Sequence, residues 1–147
     1  MKLLRKIRTA VRMPKSNKLL FIEALYTSAC VRFALSYLPF KIIKGWLGQS
    51  SHRPDVQLTH EQIRQINRTY HTLKLCNRYA LWKTECYTLA LTGKILLRRR
   101  NIPSTLYIGW KKNEGEFEGH AWLKTPNDNV VSGNMDLTQF SVNAYFS

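Results

Sequence analysis

The sequence predicts an α+β fold, with a helical N-terminal region followed by a helix packed on an antiparallel sheet. Up to Arg100 the apolar residues recur at helical spacing, with recognisable starts and stops. After Pro103 aromatic and branched residues form short extended stretches, and Asn113-Glu114-Gly115 and Pro126-Asn127-Asp128-Asn129 supply turns between them. Helices first and strands second is the α+β order, not the alternation that builds a parallel sheet. The 147 residues make about one domain, and an apolar content of 44% favours a packed core over disorder.

Residues 1–18 carry seven Lys/Arg and no acid, with Leu3, Leu4, Ile7 and Val11 at near-helical spacing, so they read as a basic amphipathic segment. No small-residue cleavage site follows, which argues against export. Leu19 to Leu38 has about the 20-residue length of a membrane span. Glu23 and Arg32 oppose that reading, since a central Arg costs roughly 2.5–3.5 kcal/mol to insert, and a buried or membrane-surface helix fits better. Pro39 ends it, and Lys41 to Leu47 forms a second amphipathic piece. The polar stretch Gly48 to Pro54 is the linker candidate, so residues 1–57 read as helical region and linker and 58–147 as the core.

Thr59 followed by Glu61 and Gln62 marks a helix start, and Ile63, Ile66, Tyr70, Leu73 and Leu75 give that helix, about 59–76, its apolar face. The run Thr84 to Arg100 lacks proline, offers Thr84 as a cap and ends in three arginines, so it is the clearest helix. Ser104 to Lys111, Phe117 to Lys124, Val130-Val131 and Phe140 to Phe146 are the strands.

Charge is unevenly placed: residues 1–100 hold 20 Lys/Arg against 4 Asp/Glu, residues 101–147 hold 3 against 5. Nucleic acid, anionic lipid and acidic peptides would all gain from such a surface. RNA-module motifs with stacking aromatics beside a basic stripe are missing, which argues against nucleic acid. Three cysteines without a CxxC pair argue against a disulfide framework and for a reducing cytoplasm. Cys76, Cys86 and a histidine lack the short paired spacing of a structural zinc site.

Cys86 lies at the start of the clearest helix, where the macrodipole and free backbone N–H groups stabilise a thiolate and can bind the oxyanion of a tetrahedral intermediate. Cys30 and Cys76 have no such setting and read as core thiols. His120 begins HAWLK at the mouth of a strand after a glycine-bearing turn, from which it could face Cys86. His52, His60 and His71 fall in the linker or on a helix. Such a pair needs a third group to fix the imidazole tautomer, and the strand beyond the hairpin is where to seek it. A loop centred on Asn127 places Asn134 opposite His120, one centred on Asp128 places Asp136 there, and an even loop places Met135. Asn134 is the preferred third residue and Asp136 the alternative.

Trp82 to Cys86 (W-x3-C), LLRRRNIPSTLYIGW, GHAWLK, VVSGN and QFSVNAYFS together resemble the transglutaminase-like cysteine peptidases of lasso-peptide biosynthesis, the maturation B-proteins that remove the leader from a ribosomally made precursor. The run LLFIEALYTSACVRFALSYLPFKIIKGWLG resembles their helical region before the catalytic part. The resemblance implies a papain/transglutaminase-like core with Cys86 and His120 as nucleophile and base. It places on Asn134 the aspartate found in many members, and Tyr87 where relatives often have Leu. It also implies a separate leader-recognition protein, a precursor peptide and an ATP-using lasso cyclase as partners, and neither metal nor organic cofactor.

The reading is therefore a cysteine peptidase. A transglutaminase-like acyltransferase would keep the same thioester and pass it to an amine. A non-enzymatic basic membrane-surface protein would need residues 1–18 and Arg98 to Arg100 but not Cys86. Peripheral membrane contact by the N-terminal helices is compatible with the enzyme.

Overall fold

The computed structural model describes residues 8, 12–48, 53–133 and 135–147. Most of the basic segment 1–18, the middle of the linker candidate and Asn134 lie outside the described residues.

Helix α1 (Lys15–Tyr37) runs up to the Leu38-Pro39 break, and α2 (Phe40–Leu47) follows at once. The residue before a proline is pushed to extended backbone, and Leu38 adopts it, at φ −97° and ψ 144°. Helix α3 (His60–Tyr79) opens on the expected capping box: the Thr59 side chain accepts from the Gln62 N–H, and the Gln62 side chain accepts from the Thr59 N–H. It ends three residues beyond the expected Cys76.

Helix α4 (Cys86–Arg98) starts two residues later than the sequence suggests. Thr84 does not cap it, because its hydroxyl donates to Asn77 Oδ1 at 2.6 Å. Glu85 holds the cap position without a side-chain hydrogen bond to the helix, and its carboxylate pairs instead with Arg32 of α1 at 3.6 Å. Cys86 is thereby the first helical residue.

Four antiparallel strands, β1 (Thr105–Asn113), β2 (Glu116–Lys124), β3 (Val130–Ser132) and β4 (Ser141–Phe146), form one sheet in the order β3-β2-β1-β4. Glu114 and Gly115, both at positive φ, make the two-residue turn between β1 and β2. The chain then crosses from one sheet edge to the other through a single 3-10 turn, Leu137–Gln139, which the sequence does not announce.

The helices cover one sheet face. Leu20, Ala24 and Val31 of α1, Ile66 and Leu73 of α3, and Ala90, Leu91 and Leu97 of α4 share one core with Leu106, Ala121, Leu123 and Phe146 of the sheet. Burying each large side chain contributes roughly 1.5–3 kcal/mol. Gly93 sets the closeness of this packing, since a Cβ there would stand 2.9 Å from both Leu123 and Leu73. The opposite sheet face carries a smaller aromatic cluster of Tyr107, Trp122 and Phe140.

Helix α1 is the one described helix long and apolar enough to cross a membrane by length and composition. One of its faces packs on α3 and α4, and its single acid is used inside the fold: Glu23 receives Arg100 at 2.6 Å and Arg99 at 3.1 Å. Burial pushes the Glu23 carboxyl up, but the hydrogen bonds and charges of Arg100 and Arg99 bring it below its ordinary value. Two of the three arginines ending α4 are therefore ion-paired internally.

Candidate active site

A cleft of about 330 Å³ opens between α3, the start of α4 and the end of β3. Cys86 and His120 both line it, together with Tyr70, Leu73, Ser132, Gly133 and Met135. The structure thus brings the two predicted reactive residues, far apart in the chain, to one cavity.

Cys86 is half-buried and free. The first intrahelical bond of α4 runs from Leu89 N–H to the Glu85 carbonyl at 3.1 Å, so the amides of Cys86, Tyr87 and Thr88 precede the helical ladder. With no side chain capping them from Glu85, these are the groups a developing oxyanion would meet beside the thiol. Cys76 is instead buried against Ser28, with Sγ 3.3 Å from its Oγ, and burial pushes its thiol up despite that contact. Cys30 is exposed.

His120 is fixed from three sides. The period-two alternation of β2 sends Ala121 and Leu123 into the helix-covered core and puts His120 on the side of Trp122. Its ring stacks on Trp122 (centroids 5.9 Å apart, planes 20°) and packs against Phe140 at 5.2 Å. Its Nε2 lies 3.0 Å from the carbonyl oxygen of Gly133. A carbonyl oxygen only accepts, so Nε2 carries the hydrogen and Nδ1 of the neutral ring keeps the lone pair, the form a general base requires.

The hairpin register explains why a backbone carbonyl holds the ring. β2 and β3 begin with Lys124 opposite Val130, the Asn127-centred pairing. The next pair is Leu123 with Ser132, which leaves Val131 as an extra residue, a bulge, and β3 then stops. Among the described residues no further β3 ladder partner follows, and Gly133 turns its carbonyl toward the imidazole. Gly133 adopts φ +75°, and a Cβ there would meet the Ala121 carbonyl oxygen at 2.6 Å and His120 Nε2 at 3.0 Å. Only glycine fits.

Of the two third-residue candidates, Asn134 lies outside the described residues. Asp136 is described, and its carboxylate accepts from Thr138 N–H at 3.2 Å, Thr138 Oγ1 at 2.5 Å and Gln139 Nε2 at 2.9 Å, starting the 3-10 turn. The Thr138 hydroxyl first, then its N–H and Gln139, hold the Asp136 carboxyl below its usual value. Sequence reasoning missed Gly133, Trp122 and Phe140. The glycine of VVSGN, closing a strand beside the hairpin, was a readable signal for the first, and the i+2 position after His120 for the second.

Among the described residues no group of three His, Cys, Asp or Glu side chains is arranged to hold a metal ion. The cleft adds two neutral features: the hydroxyl of Ser132, buried without a partner, and the apolar Leu73 and Leu89.

The fold and site define a class: α+β proteins whose helix-start cysteine and strand-borne histidine line one cleft. A family model described as the Transglutaminase-like superfamily matches residues 29–144, and the chain belongs to that superfamily. Its members include cysteine peptidases and acyltransferases. Comparison with curated proteins and with solved structures gave no match.

Proposed function

We propose that the chain is a cysteine endopeptidase that removes the leader from a ribosomally made lasso-peptide precursor, acting in the cytoplasm with a separate leader-recognition protein and beside a lasso cyclase. The observation that carries the peptidase reading is the shared cleft of Cys86 and His120, with the histidine tautomer set by the Gly133 carbonyl. The lasso-precursor substrate rests on the sequence resemblance at W-x3-C, GHAWLK and VVSGN.

In this mechanism the Cys86 thiol gives its proton to Nδ1 of His120, and the resulting thiolate attacks the scissile carbonyl carbon while the amides opening α4 receive the oxyanion. His120 gives a proton to the leaving amine as the C–N bond breaks and the thioester remains. It then takes a proton from water, whose hydroxide displaces the thiolate and frees the carboxylate. Gly133 orients His120, and the Asn134 side chain adds to that orientation.

The test mixes the full chain with its recognition protein and precursor and follows leader release by mass. Cys86→Ala is expected to abolish release, and a variant that still cleaves would overturn the reading. Added primary amine separates the two chemistries of the superfamily, because an amine adduct on the product would reassign the activity to acyl transfer.

A further inference from the structure

Helix α1 is apolar on two sides, and only one is used by the fold. Leu20, Ala24, Thr27, Ser28, Val31 and Ala34 turn inward. Leu19, Ile22, Tyr26, Phe33 and Tyr37 form a second stripe, which at 100° per residue falls within an arc of about 60° on the side away from the packed face. These side chains stand in solvent, with Leu19 and Tyr26 each 70% exposed and Tyr37 74%. Exposed Phe40, Ile42 and Trp46 of α2 follow directly along the chain. A continuous apolar stripe of this length on a 23-residue helix requires a partner.

The charges around it indicate which. Lys15 continues the stripe at its N-terminal end, Arg8 and Arg12 precede it, and Lys41 and Lys44 follow it, all exposed. Between residues 8 and 48 the single acid is Glu23, whose carboxylate is taken by Arg99 and Arg100 on the inward side. The surface therefore combines aromatic and aliphatic side chains with bases at both ends and offers no carboxylate of its own. A second copy of a chain with net charge +14 would bring like charges together across this face. An anionic lipid surface satisfies both parts, since acyl chains accept the apolar stripe and headgroups the lysines and arginines. Glu23, Arg32 and the packed inward face keep the helix from crossing the bilayer.

We infer that α1 and α2 dock the protein in the plane of an anionic membrane, with the Leu19-to-Tyr37 stripe at the headgroup boundary. The stripe points away from α3 and α4, which wall the cleft, so docking leaves the cleft accessible. The inference does not depend on the reaction assigned to Cys86.

Flotation of the full chain with phosphatidylcholine vesicles, with and without one quarter phosphatidylglycerol, tests it. Binding is expected only with phosphatidylglycerol and is expected to weaken as salt rises. The double variant Tyr26→Glu, Phe33→Glu is expected to bind at least about tenfold more weakly, because it removes two inserting rings and adds two repelled charges. Lys41→Glu with Lys44→Glu is expected to weaken binding less. Tyr26→Trp supplies an independent reading, in which the added indole emission shifts to the blue on mixing with anionic vesicles, beyond any shift of the wild type. The inference is overturned if the wild type does not float with anionic vesicles, if the Glu double variant floats equally well, or if the Tyr26→Trp variant shows no such added shift. It is equally overturned if the wild type sediments as a dimer that the Glu variant dissociates, which would make the stripe a contact between copies.

Discussion

One wall of the cleft is the start of a helix, and the other is the frayed end of a sheet edge. Cys86 opens a 13-residue helix buried on nearly every side, so its position is over-determined by packing. His120 pairs with Gly109 of β1 but lies beyond the described end of β3, and it is held by one carbonyl and two aromatic rings. The Cys86 wall is rigid by burial. The His120 wall is specified by a bulge and a glycine. Apart from the Cys86 thiol itself, changes on the helix wall should therefore register mainly as stability, and changes on the edge wall mainly as activity.

The largest test of the edge wall is His120→Gln. The ring leaves, while most of the volume between Trp122 and Phe140 is kept, so folding should persist and leader release should fall by roughly 10²–10⁴-fold, the worth of a positioned general acid-base. Matching melting transitions with lost cleavage would bear out the division of labour. Retained cleavage would remove His120 from the chemistry.

Gly133→Ala should act next in size. An alanine at φ +75° takes a left-handed conformation costing roughly 1–2 kcal/mol, and its Cβ meets the Ala121 carbonyl. The carbonyl that holds Nε2 must then move. The expected outcome is a modest drop in unfolding midpoint with a kcat loss on the order of tenfold or more, KM changing little, because a tautomer and its orientation are lost while the cleft remains. Equal losses in kcat/KM and in folded fraction would mean that Gly133 is only structural.

These two positions also show what the sequence could carry. Helix starts and stops are written in local chemistry: the Thr59–Gln62 box, the Leu38-Pro39 break and the arginines after Leu97 are all readable within a few residues. Cys86 inherits that legibility, although the cap fell on Glu85 because Thr84 is drawn to Asn77. The edge wall depends on pairing between strands, and a single extra residue, Val131, shifts the β2–β3 register between Lys124 and Leu123, just before the chain reaches the Gly133 carbonyl that meets His120. Periodicity predicts alternation along a strand but not where a bulge interrupts it. Lys94 was equally hidden. It lies on the apolar helix, yet its side chain is buried and donates to the carbonyls of Ser104 and Phe146 at 2.8 and 3.1 Å.

Lys94→Met probes how the helix wall is anchored. Burial first, and the nearby Arg98 charge second, push the Lys94 ammonium down to about 8 from its ordinary 10.5. The folded protein therefore releases this proton before the unfolded chain does. Between those values the unfolded chain binds more protons, so this group makes stability rise with pH, by roughly 3 kcal/mol across the window. Below about pH 8 the cost of burying the charge is fully present. Urea unfolding of wild type and Lys94→Met at about pH 7 and about pH 10, either side of most of that window, should show the wild type gaining relative to the variant as pH rises, while leader release per folded molecule stays unchanged. A difference that is flat with pH would mean Lys94 is solvated in the folded state.

The smallest effect is expected from Asp136→Ala, and it separates the two accounts of the edge wall most cleanly. The Asp136 carboxylate is engaged by three donors from Thr138 and Gln139, which commits it to shaping the 3-10 turn that carries the chain toward β4. If the Gly133 carbonyl is what fixes the imidazole, losing that carboxylate should change leader release by less than about threefold, well inside the range of a residue acting through a turn. Its counterpart Asn134→Ala removes a side chain one residue beyond the orienting carbonyl and should cost more. A loss at Asp136 that equals the loss at Gly133 would show that the carboxylate leaves its turn to orient His120 in the working enzyme, and the edge wall would then be assembled by substrate instead of being preformed.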